Sequence, residues 1–197
     1  MTTRVRIIAV TWPSNLQSTS GGTGEKTVWI YGLISGGICS GLMIAAIPFE
    51  NQIGYDRALV VGYTTMVLAF LLVFFGIRSY REHQGEGHIT FLRAFSVGIL
   101  ITLVCCICYV FTWEVVYFKF MPDYMDKYGA HLVEKAKAAG ASAAAIQAQT
   151  EQLKKYKEMY DNPLINAAMT FIEPFPVGAV MTLISALLLR KKAPAAA

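Results

Sequence analysis

Charged side chains are scarce in this chain, at 15% of residues against roughly 25% in an average soluble domain. No block of as many as about five like charges occurs, and the net charge of +4 is modest, so there is no arm for nucleic acid and none is expected as a partner. Phosphate loops, dinucleotide fingerprints, zinc motifs and nucleophile elbows are missing too. No cofactor is implied, and without a visible nucleophile and base pair a catalytic role is not the expectation. Cysteine is limited to Cys39, Cys105, Cys106 and Cys108, all inside apolar stretches. A helix would scatter the last three around its circumference, so they read as small packing residues and not as a metal cluster or disulfide framework.

What the chain has instead is apolar length. Of its 197 residues 55% are hydrophobic, and nearly half lie in four stretches at about 27–49, 58–77, 95–118 and 164–189. Each is long enough to cross a hydrocarbon core of about 30 Å as a helix. The expected fold class is therefore an all-α membrane protein: a four-helix transmembrane bundle occupying 26–192, with the lipid bilayer as its first partner. Residues 1–25 read as a disordered N-terminal tail or an over-long start, and 193–197 as a second tail. Trp29 and Tyr31 open the first span as interfacial anchors, and Pro48 closes it before Glu50. Residues 78–94 form a polar turn carrying His83 and His88, whose spacing on a flexible loop is a poor metal template. Past Pro122 the composition turns to Ala, Lys, Glu and Tyr, which predicts an extramembrane helical insertion over 119–163, its second helix at about 142–160.

Four spans place both termini on one side. That side, with the 78–94 loop, carries nine basic against three acidic residues, whereas the other balances eight against eight. The positive-inside rule then puts both termini in the cytoplasm of a multi-pass inner-membrane protein.

Two carboxylates lie within the spans. At 1.5 Å per residue, Glu114 is about 28 Å from Phe95 and Glu173 about 24 Å from Leu189, both close to the outer boundary. With Glu50 at the end of the first span, three acids are expected at one mouth of the bundle, as a candidate proton or cation site. Pro174 and Pro176 lack N–H groups, which would free the carbonyls of Thr170 and Ile172 to join Glu173 as acceptors. The competing reading makes Pro174 the first residue of a helix, Glu173 its neighbour at the positive end, and 164–172 a separate interfacial helix. Gly32, Gly36 and Ser40, with Gly37, Gly41 and Ala45 beside them, form two small-residue rows on the first span, and Ala94, Gly98 and Thr102 a third. These rows allow close helix packing, within the chain or between copies in a homo-oligomer. The rings from Tyr109 to Tyr128 read as a membrane-interface belt and not as a substrate cage.

With these motifs placed, the chain resembles a bacterial membrane family catalogued only as domain of unknown function 4199. The resemblance rests on Tyr31-Gly-Leu-Ile-Ser-Gly36, Gly62-Tyr63, Gly76-Ile-Arg-Ser-Tyr-Arg81, Ile89-Thr-Phe-Leu-Arg-Ala-Phe95, Pro122-Asp-Tyr124, Asn162-Pro163, Glu173-Pro-Phe-Pro-Val-Gly178 and Leu183-Ile-Ser-Ala186, spread over about residues 26–190. It implies a bacterial inner-membrane protein of four helical spans and brings no established activity or catalytic residues. The expectation is thus a structural, binding or accessory subunit without catalysis, with a membrane partner protein or a second copy to pack against. The alternative is a small transporter or proton- or cation-coupled component using Glu173 and Glu114.

Overall fold

A chain that is apolar in four long stretches can satisfy its backbone in hydrocarbon only by forming helices, and the structure is helical almost throughout. The computed structural model describes residues 21–49 and 53–191. Helix α1 is Gly21–Ala46, followed by a 3-10 turn at Ile47–Phe49; α2 is Tyr55–Gln84; α3 is Phe91–Val115, prolonged by a π-helical turn at Val116–Phe120. Then come α4 Tyr124–Ala138, α5 Ala143–Tyr160, α6 Pro163–Ile172 and α7 Pro174–Leu189. Four stretches, Gly24–Phe49, Arg57–Gln84, Phe91–Phe120 and Pro163–Leu189, are long and apolar enough to cross a membrane. The fold is a four-helix transmembrane bundle with a helical insertion between its third and fourth spans.

Helices α2 and α3 form the shared diagonal of the bundle, since α1 packs against both and α7 packs against both. The core between them combines small and branched side chains, including Cys39, Val73, Ile77, Ile101 and Ala186, with the larger Phe70 and Met66. Buried hydroxyls tie the helices together: Ser35 Oγ donates to the Ala69 carbonyl at 2.9 Å, and the Thr102 and Thr182 hydroxyls share a hydrogen bond of 3.0 Å. The outward faces are the reverse of a soluble protein, with Val60 at 68% and Phe111 at 70% exposure. Apolar area of that extent needs lipid against it.

Several boundaries differ from the sequence reading. Helix α1 begins at Gly21, inside the stretch expected to be disordered, because it packs on a longer α2. Gly24 lies against Tyr80 and Gln84, and Gln84 Nε2 donates to Thr27 Oγ1 at 3.1 Å. Tertiary contact there outweighs the poor helix propensity of the glycines. Helix α2 continues past Arg78 to Gln84 because its arginines find partners at the bundle end. Arg81 Nη1 donates to the Leu189 carbonyl at 3.2 Å, satisfying a helix C-terminus. The expected polar turn over 78–94 shrinks to the residues between Gln84 and Phe91, where Gly87 takes φ 81°, and His83 belongs to the last turn of α2. Residues 1–20, Glu50 and the tail at 193–197 lie outside the described residues.

The fourth span is broken as its prolines imply. Asn162 caps α6, its Oδ1 accepting from the Leu164 and Ile165 amides. The helix stops at Ile172, and Pro174 starts α7. Glu173 between them keeps helical angles, φ −71° and ψ −58°, so the break is a kink and not an unwound loop.

Candidate functional site

The kink at Glu173 faces a cavity of about 270 Å³. Its walls come from α1 through Leu42 and Met43, from α2 through Leu59, Gly62 and Met66, and from α3 through Tyr109 and Trp113. Tyr124 and Tyr128 of α4, with Tyr55 at the start of α2, close its end nearest the insertion. The rim includes Leu42 and Leu59, which are also exposed on the outer faces of α1 and α2, so the cavity opens at the seam between those two helices.

Local sequence sets this geometry. Tyr109 and Trp113 are one helical turn apart on α3 and therefore share a face. The Tyr109 hydroxyl donates to Glu173 Oε2 at 3.3 Å, and Trp113 Nε1 donates to the Tyr160 hydroxyl at 2.9 Å. Pro174 cannot donate to the Thr170 carbonyl, which instead accepts from the Glu173 amide at 3.4 Å. The kink thus leaves Glu173 half-buried and turned toward α3, not capping the helix it precedes. Tyr55 lies against Tyr128 with ring centroids 5.4 Å apart and against Tyr124 at 6.1 Å. Trp113 meets Tyr124 edge-on at 5.3 Å. Burial first, and then the charges of surrounding groups with Glu173 among them, pushes the Tyr124 phenol up from its ordinary range. Tyr124 therefore stays neutral at working pH.

The insertion is anchored to this site. Tyr117 donates to Asp161, Asn166 Nδ2 donates to the Tyr160 carbonyl at 3.0 Å, and Tyr160 packs edge-on against Tyr117. The first of these bonds, together with Lys157 at 3.0 Å, holds the Asp161 carboxyl below its ordinary range. The end of α5 is in this way tied to α3 and α6, and α4, through Tyr124 and Tyr128, closes the cavity.

The family described as Protein of unknown function (DUF4199) matches residues 30–191. The chain belongs to that family. No curated protein and no solved structure matches it. The DUF4199 match runs from α1 to the end of α7, so it takes in every wall of the cavity.

The residues singled out in the sequence are distributed unevenly. Glu173 is at the cavity, with Tyr109 as its partner. Glu114 is five residues beyond Tyr109, roughly 140° around α3 at 3.6 residues per turn, so the two acids do not share that face; its Oε1 is buried without a hydrogen-bond partner among the described residues. Glu50 lies outside the described residues. The small-residue rows divide. A Cβ on Gly32 would meet Val104 at 2.7 Å, one on Gly36 would meet Cys108 at 2.6 Å, and one on Gly98 would meet Thr182 at 2.7 Å. These glycines let the spans approach. Gly37 and Gly41 have nothing within 4 Å, because they lie on the outward face of α1, and their row packs nothing inside this chain.

Two features went unread in the sequence. Gly178 sits where a Cβ would strike Thr102 and Phe70, a close approach signalled only by its place four residues after a kinking proline. The aromatic belt is also more than a belt, since Trp113, Tyr124 and Tyr128 turn inward to line the cavity. The 109–113 and 124–128 spacings were the available signal, but one helix face cannot be told from another until the packing partner is known.

Proposed function

We propose that this chain is a non-catalytic binding protein of the bacterial inner membrane, with both termini cytoplasmic, that takes a small and largely apolar ligand into the cavity beside Glu173. The observation that carries this reading is a single carboxylate, oriented by the Tyr109 hydroxyl, in an otherwise apolar and aromatic chamber. Ligand sites share that composition: apolar walls with a few placed polar groups. The opening between α1 and α2 would admit a ligand sideways from the bilayer. The role requires no nucleophile, and the insertion over the cavity offers a surface to a membrane partner protein.

Gly62 supplies the test. It lines the cavity, and a Cβ there meets nothing within 4 Å, so Gly62→Leu fills the chamber without disturbing helix packing. An apolar fluorophore titrated onto the purified protein in nanodiscs should bind the wild type and not Gly62→Leu, with the two melting alike. Equal binding to both would refute a cavity site.

A transport role for Glu173 and Glu114 draws on the unpartnered Glu114 oxygen. It predicts proton or cation flux in liposomes that Glu173→Gln and Glu114→Gln both abolish. The binding reading predicts no flux from either.

A further inference from the structure

We infer that the ligand of this cavity is an alkylated ammonium compound, its cationic head among the aromatic rings beside Glu173 and its apolar tail along the seam between α1 and α2. The inference rests on the cavity being a binding site and specifies what chemistry it selects.

The argument begins with the polar atoms the chamber presents. Tyr109 spends its proton on Glu173, and Trp113 Nε1 spends its proton on Tyr160. Glu173 is the one acid among the described residues lining the chamber, beside the hydroxyl-bearing Thr65, Tyr55, Tyr124 and Tyr128. No Lys, Arg or His lines the cavity, and among the described residues no basic side chain forms an ion pair with Glu173. A carboxylate in apolar surroundings without a protein counter-charge calls for a cation from elsewhere.

The walls decide which cation. An inorganic cation needs several oxygens, carboxylates and carbonyls above all, to replace its water, and the chamber provides one carboxylate with only neutral hydroxyls of Thr65 and tyrosines among hydrocarbon and rings. A methylated ammonium is weakly hydrated and asks for no hydrogen bonds. It is stabilised by the negative faces of aromatic rings. Trp113, Tyr124, Tyr128 and Tyr55 form such a group, with neighbouring centroids 5.3 to 6.2 Å apart. Glu173 lines the same cavity as these rings, which puts the carboxylate in the chamber that would hold the head. Leu42, Met43 and Leu59 then continue outward as an apolar track, the surface an alkyl tail would follow to the bilayer.

The test uses the full chain in nanodiscs, titrated calorimetrically with hexyltrimethylammonium and with 1-hexanol, against empty nanodiscs. The wild type should prefer the cation by about tenfold or more, a ratio on the order of 1.4 kcal/mol. Glu173→Gln should lose most of that preference, and Tyr128→Leu should weaken the cation several-fold more than hexanol. Gly62→Leu should bind neither. Equal affinity of the wild type for both probes would overturn the ammonium assignment and leave the cavity standing. No binding of either probe would remove both readings. A preference that survives in folded Glu173→Gln and in Tyr128→Leu alike would also overturn it. Should Glu173→Gln fail to fold, the wild-type ratio and Tyr128→Leu still decide.

Discussion

At the scale of single residues, the two glycine rows of α1 have different work, although their letters are alike. Gly36 lies against Cys108, with the Cys105 backbone just behind, so a larger side chain would push α1 off α3. Gly36→Leu should destabilise the protein by about 1–3 kcal/mol, the usual cost of overpacking, seen as a lower melting temperature in detergent. Gly37→Leu meets open space and should melt like the wild type. A fall in oligomer size with Gly37→Leu, at unchanged melting, would assign that row to a contact between copies. Asp161 carries a second prediction. Its carboxyl is held below the ordinary range by the Tyr117 hydroxyl and then by Lys157. The stabilisation is therefore present above the unfolded value of about 3.9 and is lost as pH falls through the depressed folded value. Limited proteolysis of the insertion should become faster in the wild type below about pH 4, and Asp161→Asn should show a flatter acid profile.

At the scale of elements, the fourth span is divided by one proline, and the division aims the acid. Pro174→Ala would supply the amide that the Thr170 carbonyl lacks, completing the helical ladder across Glu173. That bond is worth about 0.5–1.5 kcal/mol net, so the variant should melt at or slightly above the wild-type temperature. Its Glu173 would no longer be held toward Tyr109, and affinity for the cavity probe should fall. Unchanged affinity would show that the kink does not position the carboxylate. Helices α4 and α5 behave differently, since their exposed faces are ordinary solvated helix. Their attachment comes from Trp113, Tyr117 and Asn166 reaching Tyr160 and Asp161.

At the scale of the whole molecule, the proposed membrane orientation rests on charge. The end bearing the termini collects Arg78, Arg81, Arg93, Arg190 and Lys191, while the insertion mixes lysines with acids. Reporter fusions after Arg81 and after Lys137 should report opposite sides of the membrane, the first cytoplasmic. Both reporting the same side would overturn the four-span topology. The cavity lies in the half of the bundle next to α4, whose Tyr124 and Tyr128 close it, and in the proposed orientation that half is the one away from the cytoplasm.

The four spans and the two helices of the insertion were legible in the letters because apolar length and helix propensity act locally. The break at Pro174 was legible too, since a missing N–H is a property of one residue. Facing was not. Whether Gly36 or Gly37 touches α3, whether Trp113 and Tyr128 look to lipid or inward, and whether Glu173 meets Tyr109 or Glu114 depend on the rotation of each helix about its axis. An apolar span exposes hydrophobic residues all round, so no amphipathic stripe reveals that rotation. Only the packing of α1 and α7 against the α2–α3 pair decided it, and with it the cavity.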